Sequence, residues 1–130
     1  MGGGLQSQRN LRIVVVEDNP YDAELMESYL KTAVACDMVV VKTRAAFLDE
    51  LENRPPDVII SDSNVPSFDG MTALKLAQEL CPCVPFIFCS GAEPHKDRMK
   101  GLDQGARAWV SKDEFSRLAE MVRELGSINS

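Results

Sequence analysis

Polar and charged residues occur in this sequence at the points where apolar, strand-like runs end. Glu17 and Asp18 follow the run "LRIVVV", and Asp62 follows "DVIIS". Ser90 ends the run "PFIFCS", and Lys112 follows "ARAWVS". Each residue alone has an ordinary explanation, because an Asp before a helix is usually a cap and a Ser or Lys in a loop is usually solvated. Their common position, at the end of a strand in every case, favours a shared site.

The residue types at these positions predict phosphoryl-transfer chemistry. Three carboxylates that converge from two neighbouring strands repel one another, so either their pKa values rise or a cation binds. Oxygen ligands of this kind suit Mg²⁺, which prefers octahedral geometry and keeps several waters. The hydroxyl of Ser90 and the ammonium of Lys112 would then donate to the equatorial oxygens of a phosphoryl group.

The elements that must position these residues alternate along the chain. The five strand-like runs cover residues 11–16, 38–42, 57–61, 85–90 and 106–111, and a helical pattern follows each of them. Strict alternation of this kind implies right-handed crossovers and a parallel sheet covered by helices on both faces. The sequence therefore predicts an α/β domain with a five-stranded, doubly wound parallel sheet.

Helical periodicity and capping residues predict the inward faces and the limits of the helices. The first helix covers residues 20–35, Thr43 caps the second, Pro94 begins the fourth and Gly105 ends it. The positions predicted to face inward are Met26, Tyr29, Leu30 and Ala33; Phe47, Leu48 and Leu51; Leu74, Ala77 and Leu80; and Phe115, Leu118, Ala119 and Val122.

Composition excludes several classes of function. The chain has 130 residues and a net charge of -6, which argues against a surface for nucleic acid or anionic lipid. Its apolar runs are far shorter than the ~20 residues that cross a bilayer. The residues Cys36 (placed in a helical stretch), Cys81, Cys83 and Cys89 are expected to be reduced thiols in the core of a cytoplasmic protein. Residues 1–9 read as a flexible leader, 10–126 as the domain and 127–130 as a tail.

Four segments resemble the sequence blocks of a known family. "IVVVEDNP", "VIISDSNVPSFDG", "FIFCSGAEP" and "GARAWVSKDEF" look like those of the response-regulator receiver domain of two-component signalling, in its stand-alone, chemotaxis-regulator-like form. The resemblance covers about residues 10–126. It implies a flavodoxin-like fold with strand order 2-1-3-4-5 and five helices.

The resemblance assigns a phosphoacceptor and a Mg²⁺ site. Asp62 would take a phosphoryl group from the phosphohistidine of a histidine kinase or of a histidine phosphotransfer protein. Asp18, Asp62 and the backbone carbonyl of Asn64 would ligate Mg²⁺ directly, while Glu17 would act mainly through a water. Such a domain catalyses its own phosphorylation and dephosphorylation and is not an enzyme on other substrates.

The resemblance also assigns a switch. Lys112 would pair with Asp62 and then with a phosphoryl oxygen, and Ser90 would move toward another phosphoryl oxygen. Trp109 occupies the switch aromatic position, where the family more often has Tyr or Phe. Coupled movement of Ser90 and Trp109 would remodel the face formed by the fourth helix, fifth strand and fifth helix, which is also the predicted partner or dimer surface.

Several positions depart from the family pattern or have no role in it. Asp113 follows Lys112 where most relatives have a Pro, so the loop could form around a trans peptide bond. Ser111 and Glu114 are spaced as in a capping box of the last helix, but plain capping by Asp113 or its neighbours is favoured. Ser63 and Ala92 are small, which suggests an open phosphorylation site. The single histidine, His95, is expected at the surface.

Three other functions are weighed against the receiver. A phosphohydrolase with an aspartyl nucleophile would want D-x-D and a cap domain, and Asn64 departs from that pattern. A flavodoxin-like electron carrier would need a phosphate-binding loop where this chain has "EDNP". A pseudo-receiver that only binds partners is disfavoured by the complete set of acids. The output, the cognate kinase and whether the chain is a whole regulator or one domain of a longer protein stay open.

Overall fold

The computed structural model describes residues 10–91 and 95–129, which form a five-stranded parallel sheet with helices on both faces. The strands are β1 (Leu11–Val16), β2 (Cys36–Val41), β3 (Val58–Ser61), β4 (Phe86–Ser90) and β5 (Ala108–Ser111). The helices are α1 (Pro20–Ala33), α2 (Arg44–Asn53), α3 (Gly70–Leu80), α4 (His95–Asp103) and α5 (Phe115–Asn129). A short hairpin, Asn64–Val65 paired with Phe68–Asp69, joins β3 to α3. The strand order β2-β1-β3-β4-β5 confirms the predicted fold.

The side chains of the central strands enter two separate apolar cores, because successive residues of a strand point to opposite faces. Ile13 and Val15 of β1 belong to the core beneath α1 and α5, whereas Val14 and Val16 belong to the core beneath α2 and α3. All four side chains are fully buried. Burial on both faces explains why the strands read as continuous apolar runs.

The register of the sheet brings the strand ends together at one edge. Val16 of β1 pairs with Ser61 of β3, and Ser90 of β4 pairs with Ser111 of β5. The hydrogen-bond ladder continues one residue further, since the Asp62 N–H donates to the Val16 carbonyl at 2.9 Å and the Lys112 N–H to the Ser90 carbonyl at 2.8 Å. The backbone itself therefore delivers the polar residues to a single place.

Helix α1 begins at a well-formed cap, but one of its predicted inward residues is exposed. The Asn19 side chain accepts the N–H groups of the first turn. Ala23, Met26 and Leu30 form the buried stripe, whereas Tyr29 is 42% exposed. The Tyr29 ring lies at the rim of the core, with its centroid 5.9 Å from that of Phe115 in α5. The prediction of an inward Tyr29 is therefore wrong.

The second strand begins earlier than the sequence pattern suggested. Helix α1 ends at Ala33, and Val34 already has extended backbone with φ -153°. Pairing of Leu11 with Cys36 then draws Cys36 into β2, where it is buried. The predictions that the helix reaches residue 35, that Cys36 is helical and that the strand covers 38–42 are corrected by this pairing.

The remaining helices follow the predicted pattern closely. The Thr43 hydroxyl accepts the Ala46 N–H at 3.1 Å, which confirms the cap of α2. Leu48 is only half-buried, and Leu80, the last residue of α3, is exposed. The other predicted inward positions of these two helices and of α5 are buried: Phe47, Leu51, Leu74, Ala77, Phe115, Leu118, Ala119 and Val122. No helix within residues 10–91 and 95–129 has the length and apolarity needed to cross a bilayer.

Helix α4 is described from His95, so the predicted start at Pro94 lies outside the described residues. His95 is exposed, as expected. The helix ends at Asp103, and Gly105 follows with φ 112°, a left-handed conformation that side chains rarely adopt. Gly105 therefore ends the helix, as predicted.

The cysteines divide into one exposed and three buried thiols. Cys36, Cys81 and Cys89 are buried, whereas Cys83 lies exposed in the turn between α3 and β4. The prediction of four core cysteines is therefore wrong at Cys83, because the Val84 N–H bonds to the Cys81 carbonyl and closes a tight surface turn.

We expect a thiol reagent to modify Cys83 and to leave the other three cysteines unreacted in the native protein. Burial raises the pKa of the Cys36 and Cys81 thiols and raises that of Cys89 to about 12, so these groups are both covered and protonated. Native protein should release one equivalent of dye from a colorimetric disulfide reagent, and denatured protein four. The Cys83→Ser variant should release none when native; rapid reaction of a second thiol would contradict the burial.

We expect Gly70→Ala to lower the free energy of unfolding by about 1–3 kcal/mol. A Cβ at Gly70 would lie 2.8 Å from Ser63 Cα and 3.1 Å from the Asp62 carbonyl oxygen, and backbone atoms cannot rotate away. Urea denaturation followed by circular dichroism measures the change. Gly91→Ala is the matched control, since a Cβ there meets nothing within 4 Å and should change stability by less than ~0.5 kcal/mol. Equal effects of the two substitutions would contradict the steric argument.

Candidate functional site

The polar edge of the sheet centres on Asp62, which follows β3 directly. The residue is 8% exposed. The oxygen Oδ1 accepts hydrogen bonds from Ser90 Oγ and from the Asn64 N–H, each at 3.1 Å, and Oδ2 accepts from Lys112 Nζ at 3.0 Å. Both carboxylate oxygens are thus oriented from different strands, with Ser90 on β4 and Lys112 following β5.

Lys112 contacts three carboxylates. Its Nζ lies 2.8 Å from Glu17 Oε1, 2.7 Å from Asp22 Oδ2 and 3.0 Å from Asp62 Oδ2. Burial alone would lower the pKa of Lys112, but hydrogen bonds to Asp22, Glu17 and Asp62 outweigh it and raise the pKa. Lys112 is therefore held as an ammonium in contact with all three carboxylates.

Glu17 and Asp18 follow β1 and differ in their surroundings. Glu17 is 1% exposed, and its burial raises the pKa of the carboxyl against the opposing effects of Lys112 and of the Asn19 N–H. That N–H donates to Glu17 Oε2 at 3.1 Å. Asp18 is half-buried beside it.

The three carboxylates Glu17, Asp18 and Asp62 could hold a metal ion. Each offers one oxygen, and these oxygens lie within 4.8 Å of one another. Converging carboxylate oxygens of this kind are the ligands that Mg²⁺ prefers, and these three residues would hold it. Two carboxylates at this separation repel by about 3 kcal/mol at an effective dielectric of ~20, which a divalent cation would offset. The donor set fits Mg²⁺. Asn64, the other predicted ligand residue, is exposed in the hairpin next to Asp62.

Ser90 is fully buried and bonds to a neighbour that was predicted only as a small side chain. Its Oγ donates to Asp62 Oδ1 and lies 2.7 Å from Ser63 Oγ. Ala92, the other small position of the prediction, lies outside the described residues.

Trp109 lies on β5 and is 6% exposed. Its ring centroid is 4.7 Å from that of Phe88 on β4, and a Cβ at Gly101 of α4 would come within 2.9 Å of the indole. The ring also lines a cavity of about 300 Å³ together with Ser63, Asn64 and Phe88. The indole is therefore packed between the sheet and α4, with open space toward the hairpin.

The structure brings together five of the seven residues singled out from the sequence. It adds Asp22, which sequence reasoning missed, and the hydroxyl of Ser63, a residue noted from the sequence only as a small side chain. Those brought together are Glu17, Asp18, Asp62, Ser90 and Lys112. Asn64 is adjacent to Asp62, and Trp109 contacts Phe88 of β4, the strand that ends in Ser90. Asp22 could have been suspected as an acid in the first turn of the helix after Pro20, whereas nothing in the sequence indicated the direction of the Ser63 hydroxyl.

The loop after β5 is built around a trans peptide bond between Lys112 and Asp113. The Asp113 N–H donates to Ser111 Oγ at 3.1 Å, and the Glu114 N–H donates to the Ser111 carbonyl at 2.9 Å. Ser111 thus organises the turn into α5, where helix capping by Asp113 or its neighbours was expected.

Comparisons with known proteins agree with this geometry. The family model for the response regulator receiver domain matches residues 13–123. The TorCAD operon transcriptional regulatory protein TorR of Escherichia coli O157:H7 is 31% identical over 114 residues, which cover 87% of this chain and 49% of that protein. A protein-glutamate methylesterase/protein-glutamine glutaminase of Anaeromyxobacter dehalogenans is 31% identical over 122 residues, covering 91% of this chain and 34% of that protein.

The fold is also found among solved structures. The receiver domain of Francisella response regulator 1452 superposes with a TM-score of 0.81 at 21% identity, covering 93% of this chain and all of that one. The chain spans about half of the TorR protein and about a third of the methylesterase. Because the family model matches most of the sequence, this chain belongs to the response-regulator receiver domains of two-component signalling.

Proposed function

We propose that the protein is a phosphoacceptor, in which Asp62 takes a phosphoryl group from the phosphohistidine of a histidine kinase or of a histidine phosphotransfer protein. The observation that carries this proposal is the surroundings of Asp62. Its carboxylate ends a buried strand, is held by Ser90 and Lys112, and lies within a cluster of three acids. A carboxylate oxygen of Asp62 forms the new O–P bond while the P–N bond breaks, and the bonding electron pair stays on the imidazole nitrogen.

The residues around Asp62 have separate tasks in this reaction. Lys112 and Ser90 donate hydrogen bonds to the phosphoryl oxygens, on which negative charge is concentrated. Asp18, Asp62 and the Asn64 carbonyl would hold Mg²⁺, with Glu17 acting through a water. Bound Mg²⁺ supplies positive charge that offsets the carboxylates and the phosphoryl oxygens.

The output of the domain is proposed to be a change in the face formed by α4, β5 and α5. Trp109 contacts Phe88 on β4, the strand that ends in Ser90, so movement at the site can reach this face. Met99 and Leu102 of α4 expose apolar surface that a partner or a second copy could cover. We expect a regulatory module of residues 10–126 that acts in the cytoplasm, where phosphohistidine donors are made, and that modifies only its own Asp62.

We expect Mg²⁺ followed by acetyl phosphate or beryllofluoride to change the fluorescence of Trp109, the only tryptophan. The change should disappear in Asp62→Asn, because an amide cannot accept the phosphoryl group, and persist in Asp103→Asn, which removes the same charge at an exposed position. Mass spectrometry of the treated wild-type protein should show one phosphoryl adduct on Asp62. The absence of an adduct would favour the pseudo-receiver. An adduct without a fluorescence change would show that Asp62 is phosphorylated but that Trp109 does not respond to it.

We expect Asp18→Asn to abolish stabilisation by Mg²⁺ without destabilising the metal-free protein. Removing one of three mutually repelling carboxylates lowers the repulsion within the folded state, but it also removes a ligand for Mg²⁺. Wild-type protein should gain about 1.4 kcal/mol of unfolding free energy when Mg²⁺ is present at ten times its Kd. Thermal unfolding in EDTA and in increasing Mg²⁺ measures both effects, with Asp103→Asn as the control that keeps the wild-type response. A wild-type response in Asp18→Asn would show that Asp18 is not a ligand.

A further inference from the structure

Two serine hydroxyls lie in series beside the candidate phosphoacceptor. Ser63 Oγ is 2.7 Å from Ser90 Oγ, and Ser90 Oγ is 3.1 Å from Asp62 Oδ1. Ser90 is fully buried, while Ser63 is half-buried and borders the cavity that Trp109 also lines. Ser63 therefore connects the buried hydroxyl of Ser90 to the open side of the site.

The proton count fixes the direction of these hydrogen bonds. A carboxylate can only accept, so the single hydroxyl proton of Ser90 is donated to Asp62. The hydrogen bond between the two serines must then use the hydroxyl proton of Ser63, so that the Ser63 hydroxyl donates to Ser90 Oγ. Hydrogen bonds in series polarise one another, so donation by Ser63 strengthens Ser90 as a donor.

The position of Ser63 is set by the backbone. The Ser63 Cα lies so close to α3 that only the missing side chain of Gly70 makes room for it, with 2.8 Å to the place a Cβ would occupy. The backbone of Ser63 is therefore held in a tightly packed turn, at a position from which its hydroxyl reaches Ser90.

We propose that Ser63 is a positioning residue for phosphoryl transfer. Its hydroxyl holds the Ser90 hydroxyl on the acceptor side of the site and keeps the Ser90 proton directed at Asp62 or, after transfer, at a phosphoryl oxygen. This role rests on the proposed function of Asp62 as the phosphoacceptor.

Ser63→Ala tests the proposal, with Ser63→Thr as the conservative variant. Threonine keeps the hydroxyl and adds only one methyl, at a position that borders the neighbouring cavity. Ser67→Ala is the matched control, because Ser67 lies exposed in the same hairpin and its hydroxyl bonds to the Lys42 carbonyl, away from the site. Trp109 fluorescence gives the concentration of beryllofluoride at half-saturation, measured at saturating Mg²⁺. A separate titration gives the half-saturating concentration of Mg²⁺ alone. Mass spectrometry gives the rate of Asp62 phosphorylation by acetyl phosphate.

In Ser63→Ala we expect the concentration of beryllofluoride that gives half-saturation to rise about three- to tenfold, because one hydrogen bond is lost. The rate of phosphorylation should fall by a similar factor. Half-saturation by Mg²⁺ should stay within about twofold, because Ser63 is not among the acids that could hold the cation. Ser63→Thr and Ser67→Ala should match the wild type in both measurements. This pattern would support a specific effect on the phosphoryl group.

The outcomes that overturn the inference differ from the failure of the proposed function. If the wild type is phosphorylated on Asp62 and Ser63→Ala binds beryllofluoride equally well, the inference is wrong and the proposed function stands. If Ser63→Ala weakens Mg²⁺ and beryllofluoride equally, the side chain only supports the fold of the turn, and the inference is again wrong. If the wild type forms no adduct on Asp62, the proposed function itself fails and the inference falls with it.

Discussion

The Lys112 ammonium is the interaction on which this site depends. Glu17, Asp22 and Asp62 are brought into a partly buried space, and each contacts the same Nζ within 3.0 Å. Without that charge, buried carboxylates would face one another uncompensated, a situation that costs about 3–5 kcal/mol when a buried pair loses one partner. Lys112 can contact all three because its ammonium is a compact charge at the end of a flexible side chain, and the rise in its pKa reflects these contacts.

The parallel sheet explains how distant parts of the chain meet around this lysine. The acids follow β1 and β3, the hydroxyl of Ser90 ends β4 and the lysine follows β5, while the register places these strand ends side by side. The central strands are apolar along most of their length and pack against helices on both faces, and the polar side chains of this site lie where the strands end. Because the sheet is covered by apolar cores on both faces, the candidate site lies at the carboxyl ends of its strands.

Much of this arrangement could be predicted from the sequence, and the exceptions have physical reasons. Strand ends are marked by a change from apolar to charged residues, which is why Asp62 and Lys112 were found in advance. Asp22 was missed because its role depends on the direction in which α1 leaves the sheet. The role of the Ser63 hydroxyl was missed because its partner, Ser90, lies far away in the sequence. Tyr29 was misplaced for a related reason: periodicity gives the face of a helix but not the width of the buried stripe.

The two oxygens of Asp62 are held from two different strands, and this division has a consequence for signalling. Ser90 of β4 holds Oδ1, and Lys112, which follows β5, holds Oδ2. If a phosphoryl group is added to Asp62 as proposed, Ser90 and Lys112 must both shift toward the phosphoryl oxygens. The shift of Ser90 then moves the end of β4, and the shift of Lys112 moves the end of β5. Trp109 lies on β5 against Phe88 of β4, so a relative movement of the two strands changes the packing of its ring. The cavity beside that ring gives it space to move into, so the aromatic position can respond without a collapse of the core.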